Sequence, residues 1–417
     1  MTGIDSQYDC VVLGGGPAGA TVATLVARAG WKTLLVERDR MPRFHVGESL
    51  MPETYWVFER LGVLEQLKVS PYSKKVGVQF VSSSGKESAP FFFRSHDARE
   101  CSQTWHVDRA EFDKMLWDNA AASGANCHDN TRAMDVLFEG EQAKGVRLQT
   151  AGAGGNEVSA KVVVDATGKQ AILGSKLGVR RVDPYLRKAA IWGHYRGGHR
   201  DEQGGGVKTV ILQTCQNKSW FWYIPQANDL VSVGVVGDND YLLKGRGAPA
   251  EVFRQELKEC ERLTRWLSEA QLANELHVEK EFSYSTERSA GDGWVLVGDA
   301  WGFIDPVYSS GVYFALKSAE LAADCIVESL NAGDTSAANL GRWVPDFSQR
   351  SGLIRKLVNA FYSGDFRVGK FIAEYPQHRE ELVDLLIGRI FDGCRGKIFD
   401  DLDPWLNARA NAEDGES

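Results

Sequence analysis

The chain lacks paired cysteines, a positive net charge and a long apolar run. Each absence argues against one class of protein: disulfide-rich, nucleic-acid-binding and membrane-spanning. Its seven cysteines are an odd number and form no CxxC pair, which favours a reducing compartment over disulfides. The net charge of −8 gives nucleic-acid binding no support. No apolar run can span a bilayer, and Met1–Ser6 lack the basic and apolar parts of a signal peptide. We therefore expect a cytoplasmic protein with no membrane span and no nucleic-acid partner.

A dinucleotide-binding unit opens the chain. The apolar strand Tyr8–Leu13 runs into a glycine-rich turn, then a helical run, and then a second strand that ends in Glu37. Gly14 permits the tight turn, Gly16 lets the backbone approach a pyrophosphate, and Gly19 lets the helix pack closely on the strand. The helix N-terminus then faces the phosphates, and Glu37 can accept hydrogen bonds from both ribose hydroxyls.

Later segments indicate which dinucleotide binds. Arg109 begins a helical run, and two apolar strands end in small-residue turns at Asp165–Gly168 and at Asp299. Several strand ends that return to one ligand favour a large dinucleotide threaded through the domain. With these segments the chain resembles the FAD monooxygenase superfamily, in which the late Gly-Asp turn binds the ribityl and pyrophosphate region of FAD. The resemblance implies that Asp299 and Arg109 contact FAD.

A tryptophan pair narrows the resemblance. Trp220 and Trp222 alternate on a predicted strand, so their side chains point to the same side. Two core aromatics are the simpler interpretation, but the segment ending at Pro225 resembles the WxWxIP motif of flavin-dependent halogenases. Related isoprenoid-chain reductases carry a similar motif with one tryptophan, so Trp220 makes the distinction. In the halogenases these side chains lie near the flavin and keep the organic substrate away from it.

A lysine and a helix start complete the resemblance. The segment Lys75-x-Gly-x-x-Phe80 is similar to the one that carries the essential halogenase lysine, with Lys74 as the second candidate. An ammonium can hydrogen-bond hypohalous acid, whereas a neutral amine, favoured by burial, can form a haloamine. A helical pattern that Gly333 caps begins at Ser309-Ser310-Gly311. The resemblance implies that the amides of Ser310 and Gly311 bind halide; serine capping alone is the simpler interpretation.

The residues assigned to FAD combine the glycine pattern with this resemblance. For the segment around Gly47 and Ser49, a plain turn is an equally good interpretation. The assigned residues are Gly14, Gly16, Ala18, Gly19, Glu37, Gly47, Ser49, Arg109, Asp165, Gly168, Asp299, Pro306, Gly311 and Val312.

The predicted fold class is α/β, because 417 residues exceed one ordinary core and strands alternate with helices. A Rossmann-like FAD-binding domain should comprise residues 1–75, 106–185 and 286–335. Residues 76–105 and 186–285 should form an antiparallel-sheet substrate domain, with strands at 189–196, 207–215, 220–225 and 230–236. Residues 336–417 should form a helical C-terminal region.

The resemblance implies a halogenase that uses oxygen, chloride or bromide, and reduced FAD from a separate flavin reductase. Its substrate should be a phenol or pyrrole, possibly tethered to an acyl carrier protein. Free tryptophan is not expected, because Tyr308 stands where the tryptophan-specific branch has glutamate and because the chain is shorter.

A basic segment could steer an acidic carrier protein, although ordinary solvated helix faces explain the segment alone slightly better. Its residues are Arg350, Arg355, Lys356, Arg367 and Lys370. The alternatives to a halogenase are an FAD-dependent aromatic hydroxylase, an isoprenoid-chain reductase on the same fold and a non-enzymatic flavoprotein.

Overall fold

The computed structural model describes residues 3–152, 154–280, 282–363 and 368–414, with side chains described as far as residue 409. Strands and helices are numbered in chain order. An eight-stranded sheet carries the dinucleotide-binding start in the order β18-β19-β9-β1-β2-β6, with β8 on β9 and β7 on β8. Its strands are β1 (Gln7–Leu13), β2 (Thr33–Val36), β6 (Asn126–His128), β7 (Thr131–Glu139), β8 (Gln142–Thr150), β9 (Gly155–Asp165), β18 (Ala290–Gly291) and β19 (Trp294–Leu296).

A second, nine-stranded sheet runs in the order β15-β11-β14-β13-β12-β3-β4, with β16 on β11 and β5 on β3. Its strands are β3 (Ser73–Val81), β4 (Phe91–Phe92), β5 (Thr104–His106), β11 (Lys188–Arg196), β12 (Val207–Gln213), β13 (Ser219–Pro225), β14 (Leu230–Asp238), β15 (Gln271–Leu272) and β16 (His277–Lys280). Two further strands, β10 (Arg180–Val182) and β17 (Tyr284–Thr286), pair with each other.

The predicted antiparallel sheet needs one correction, because β3 and β12 pair in parallel. More than one hundred residues, including much of the first sheet, separate these strands in sequence. Such a long connection permits parallel pairing, whereas a hairpin would force antiparallel pairing.

Helices cover the first sheet and form the C-terminal region. They are α1 (Pro17–Arg28), α2 (Thr54–Leu61), α3 (Leu64–Lys68), α4 (Phe93–His96), α5 (Arg109–Ala122), α6 (Ile172–Lys176), α7 (Asn239–Leu243), α8 (Pro249–Lys258), α9 (Glu261–Trp266), α10 (Ser310–Ala332), α11 (Ala337–Leu340), α12 (Val344–Tyr362), α13 (Val368–Glu374), α14 (Arg379–Ile387) and α15 (Ile398–Asp414). None of these helices combines the length and hydropathy needed to cross a bilayer. The predicted α/β class is confirmed; the domain boundaries stay a prediction.

The helix α1 packs against the end of β1 through glycine. A Cβ built on Gly19 would lie 1.9 Å from the carbonyl oxygen of Gly14, and one on Gly14 would lie 2.3 Å from the carbonyl oxygen of Ala166. Gly14 also has a φ of +104°, which an L side chain rarely adopts. The glycine spacing therefore lets the helix N-terminus come close to the strand end.

We predict that Gly19→Ala lowers the free energy of unfolding by about 1–3 kcal/mol, because the added Cβ would collide with backbone. Gly352→Ala is the matched control, since Gly352 lies inside α12 and a Cβ added there would meet nothing within 4 Å. That control should gain up to about 1 kcal/mol from helix propensity. Equal denaturant midpoints for the two variants would contradict the close contact.

Candidate functional site

A cavity of about 550 Å³ is lined by residues of both large sheets. The turns that follow β1 and β9 contribute Gly14 and Ala166 from the first sheet. The strands β12 and β13 contribute Thr209, Ile211, Trp222 and Ile224 from the second. The predicted residues that line it are Gly14, Gly16, Ala18, Glu37, Gly47, Ser49, Arg109, Gly168, Trp222, Asp299, Pro306, Gly311 and Val312.

Two helix N-termini face this cavity. Gly16 and Ala18 line it at the start of α1, and Ser309 and Gly311 line it at the start of α10. The amides of a first helical turn have no partner within the helix, and the helix dipole is positive at this end. The cavity can therefore hold anionic groups at two separate places.

Glu37 follows the last residue of β2, beside the first of these helices, and is buried. The Gly15 amide donates to its Oε2 at 2.8 Å, and the Asp39 amide donates to its Oε1 at 3.1 Å. Arg43 Nε lies 3.5 Å from Oε2. A carboxylate oxygen accepts up to two hydrogen bonds, so Oε1 keeps a position for a ribose hydroxyl.

The fully buried carboxylate of Asp113 bonds two arginines that line the cavity, Arg43 and Arg109. Its Oδ1 accepts from Arg109 Nε at 2.8 Å, and its Oδ2 accepts from Arg43 Nη1 at 2.8 Å and from Arg109 Nη2 at 3.0 Å. Burial opposes ionisation, but the two arginines hold the pKa of Asp113 below its ordinary value. Arg109 also donates to the Gly47 carbonyl oxygen at 3.2 Å, so the network fixes the loop that carries Gly47.

Sequence reasoning missed Arg43 and Asp113. The only signal for Asp113 was its position four residues after Arg109 on a predicted helix, a spacing that brings two side chains together. Nothing in the sequence connected Arg43 with that helix, because their contact is long-range.

The carboxylate of Asp165 does not line the cavity, and its predicted contact with FAD stays a prediction. It accepts from the Thr167 amide at 3.0 Å, from Thr167 Oγ1 at 2.6 Å and from the Leu173 amide at 2.7 Å. Asp165 therefore shapes the turn after β9, while Gly168 in the same turn lines the cavity. Gly19 is likewise a packing residue that lies outside the cavity wall.

Asp299 lines the cavity as predicted, and its burial raises its pKa to about 6, which Arg109 opposes. Ser310 is the first residue of α10, and its side chain is buried away from the cavity. Only its backbone can then serve the predicted halide position. The neighbouring Gly311 lines the cavity, and a Cβ there would lie 2.8 Å from the Phe303 ring.

The two motif tryptophans share one face of β13, with ring centroids 6.3 Å apart. Only Trp222 lines the cavity; its indole donates to Ser232 Oγ at 3.1 Å. Trp220 lies behind it and donates to the Tyr362 hydroxyl at 3.0 Å. Trp222 can therefore take the predicted position beside the flavin, whereas Trp220 can only pack against Trp222.

Gly234 makes room for this arrangement and was not predicted. It pairs with Trp222 across β13 and β14, and a Cβ there would lie 2.2 Å from the indole of Trp222. Trp192 on β11 also lines the cavity, 6.4 Å from Trp222 between ring centroids. The second sheet therefore presents the indoles of Trp192 and Trp222 to the cavity. Trp222 can lie there because Gly234, its partner on β14, has no side chain.

Lys75 lies outside the cavity wall, buried with only 2% of its surface exposed. Its Nζ donates to the Leu50 carbonyl oxygen at 2.9 Å and lies 5.6 Å from the centroid of the Phe93 ring. Burial lowers the pKa of Lys75 to about 7. Lys74 points to the opposite side of β3 and is exposed, as strand alternation predicts.

Of the four residues of the predicted basic segment that the structure describes, three form ion pairs. Arg350 pairs with Asp346, Arg355 with Asp183 and Lys356 with Asp403. Lys370 is exposed, and Arg367 lies outside the described residues. The ion pairs reduce the net positive charge that these three residues offer to a carrier protein, and docking through this segment stays a prediction.

The cavity fits FAD in its chemistry. Glu37 marks a ribose end, the close glycine turn and the α1 N-terminus suit a pyrophosphate, and Arg109 and Asp299 follow along the wall. At the other end lie the indole of Trp222 and the start of α10, where the predicted halide would bind.

Comparison with known proteins agrees with this geometry. A family model described as tryptophan halogenase matches residues 9–95 and 85–371. The chain is 31% identical over 425 residues to a 1H-pyrrole-2-carbonyl-(peptidyl-carrier protein) chlorinase of Pseudomonas fluorescens, covering 95% of this chain and 92% of that protein. It is 30% identical over 395 residues to the corresponding brominase of Pseudoalteromonas luteoviolacea, covering 94% of each. A solved flavin-dependent brominase superposes with a TM-score of 0.85 at 28% identity, covering 99% of this chain and 100% of that one.

Glu37→Ala should weaken FAD binding by about 1.5–3 kcal/mol, because it removes a charge-assisted acceptor beside the predicted ribose position. Flavin fluorescence titration of the wild type and the variant measures this. An unchanged dissociation constant would place the ribose elsewhere.

Lys75→Met should change how stability depends on pH. The amine has an ordinary pKa of 10.5 and a folded value of about 7, so between these values the unfolded chain binds a proton that the folded chain lacks. The wild-type free energy of unfolding should rise with pH across that window, relative to the variant, by roughly 1 kcal/mol per pH unit. Denaturant unfolding at several pH values from about 7 to about 9.5 tests this.

Lys74→Met is the control, since Lys74 is exposed on the same strand and should leave the wild-type pH slope intact. Parallel curves for wild type and Lys75→Met would mean that Lys75 keeps its charge in the folded state.

Proposed function

Because this chain belongs to the flavin-dependent halogenase family, we propose that it halogenates a pyrrole carried as an acyl group on a carrier protein. One observation carries the proposal. Two relatives named for that substrate align with at least 94% of this chain and at least 92% of their own length. A likeness that spans both chains end to end includes the substrate side of the fold as well as the FAD side.

Bound, reduced FAD supplies, with oxygen, the two-electron oxidation that turns chloride or bromide into hypohalous acid. A separate flavin reductase would deliver the reduced cofactor. The protein's part begins with the amides at the start of α10, at Ser310 and Gly311, which suit a halide because they are unpaired donors at a positive helix end. Trp222 then forms a wall that keeps the aromatic substrate out of the cavity, which suppresses direct oxygen transfer to it.

Lys75 is the group proposed to meet hypohalous acid on the other side of that wall. With a pKa of about 7, both its ammonium and its amine are available near neutral pH. The ammonium can donate to the oxygen of hypohalous acid and polarise it, and the amine can take the halogen to form a haloamine. With the ammonium, the ring carbon takes the halogen and the ring proton leaves with the hydroxyl group as water. With the amine, water forms together with the haloamine from an amine proton and the hydroxyl group; the ring carbon then takes the halogen and the ring proton returns to the nitrogen.

Tyr308 supports a substrate other than tryptophan. Its buried hydroxyl donates to the Leu357 carbonyl oxygen at 3.4 Å, and its ring meets Phe361 edge to face. A glutamate at this position, as in the tryptophan-specific branch, would offer a carboxylate to an indole N–H. Tyr308 offers no such carboxylate, and its ring and hydroxyl are occupied by contacts within the protein.

We predict that a pyrrole-2-carboxyl group on a carrier protein is halogenated with a kcat/KM at least ~10-fold above that of the free acid, because the carrier holds the ring at a high effective concentration. The assay supplies FAD, a flavin reductase, oxygen and each halide, and mass spectrometry detects the product. Lys75→Met is the control for the lysine's part.

Equal turnover of the free acid would remove the carrier from the proposal. Efficient halogenation of free tryptophan would overturn the substrate assignment. Halide-independent hydroxylation would overturn halogenation itself.

A further inference from the structure

Three hydroxyl groups of the cavity wall and one buried imidazole form a continuous hydrogen-bond chain. Ser309 Oγ donates to Ser49 Oγ at 3.1 Å, and Ser49 Oγ lies 2.8 Å from Thr209 Oγ1. Thr209 Oγ1 lies 2.8 Å from His106 Nε2, and His106 Nδ1 lies 2.7 Å from the Pro225 carbonyl oxygen. The three hydroxyl residues line the cavity, whereas the His106 side chain is wholly buried beyond them. We call Ser309, Ser49 and Thr209 the hydroxyl chain.

The chemistry of the two ends fixes the direction of every bond. A carbonyl oxygen only accepts, so His106 Nδ1 carries the hydrogen toward Pro225. Burial and then the nearby charge of Lys75 lower the pKa of His106, so the ring is neutral and its Nε2 accepts from Thr209. Thr209 must then accept from Ser49, which accepts from Ser309. The Ser309 hydroxyl consequently turns its acceptor side to the cavity.

The far end of the chain lies beside Lys75. His106 and Lys75 occupy adjacent antiparallel strands, where Ser73 pairs with His106 and Lys75 with Thr104. Paired residues share a face of the sheet, so Lys75 and His106 are diagonal neighbours on one face. Lys75 also donates to the carbonyl oxygen of Leu50, the residue after Ser49. The hydroxyl chain thus joins the start of α10 to the surroundings of the lysine.

We propose that His106 is a positioning residue that orients the hydroxyl chain, and that this chain guides hypohalous acid from the FAD cavity toward Lys75. The inference rests on the proposed halogenation. Hypohalous acid donates through its O–H, and Ser309, Ser49 and Thr209 offer acceptors in a fixed order along the way. The other cavity residues of β12 and β13 are Ile211, Trp222 and Ile224, whose side chains offer the acid no acceptor.

The test uses the full-length holoenzyme with the Thr209→Val variant, which removes one hydroxyl and keeps the branched shape. Three quantities are measured on one preparation: halogenated product, oxidised flavin, and hypohalous acid that escapes to a soluble 1,3-diketone trap. Product per oxidised flavin should fall about 3- to 10-fold, the effect expected of one lost hydrogen bond, and trapped acid should rise. Thr209→Ser restores the hydroxyl and should return the ratio to near the wild-type value.

Two further variants separate this role from simple support of the fold. His106→Leu removes the acceptor that orders the chain and should lower the same ratio. Thr214→Val removes a buried hydroxyl of the same strand region, one that bonds Ser219 outside the chain, and should leave the ratio unchanged.

An unchanged ratio in Thr209→Val and His106→Leu would overturn the proposal, even if both variants melt at lower temperature. A lowered ratio in Thr209→Ser as well as in Thr209→Val would also overturn it, because the hydroxyl would then be irrelevant. Absence of halogenated product from the wild type would instead refute the proposed function.

Discussion

The buried carboxylate of Asp113 holds the cavity in shape. It binds Arg43 and Arg109 at once, and through them it reaches Glu37 on one side and Gly47 on the other. Removing one partner from a buried ion pair costs about 3–5 kcal/mol, because the remaining charge has no water to replace the lost contact. The loop after Gly47 carries Ser49 and Leu50, so the same carboxylate indirectly positions the groups that face Lys75. A single buried charge therefore links the predicted ribose end of the cavity to the lysine.

The sequence predicted those parts of the site that depend on local pattern. Strand alternation placed Trp220 and Trp222 on one face of β13 and separated Lys75 from Lys74, because side chains in a strand point alternately to opposite sides. The glycine spacing of the first turn and the Gly333 cap of α10 followed from backbone geometry, and the structure has both. These features need only the residues within one or two elements.

Features that depend on distant contacts escaped prediction. The parallel pairing of β3 with β12, the contact of Arg43 with Asp113 and the space that Gly234 leaves for Trp222 each join segments that are separate in sequence. The role of Asp165 in its own turn escaped prediction for a related reason. An aspartate at a strand end suits either a ligand or its own turn, and only the positions of the Thr167 and Leu173 amides decide between them. The paired state of Arg355 is equally invisible without the fold.

At Lys75 the cost of burying an amine conflicts with the need for that amine in the proposed chemistry. Burial alone accounts for its lowered pKa, and its amine bonds a neutral carbonyl oxygen at Leu50. A carboxylate in that place would raise the pKa and hold the ammonium in an ion pair. An apolar side chain of similar size would avoid the desolvation of an amine altogether. Because Lys75 is buried beside Phe93 and a neutral His106, its amine stays available to an electrophile. Such local losses of stability are expected at functional sites.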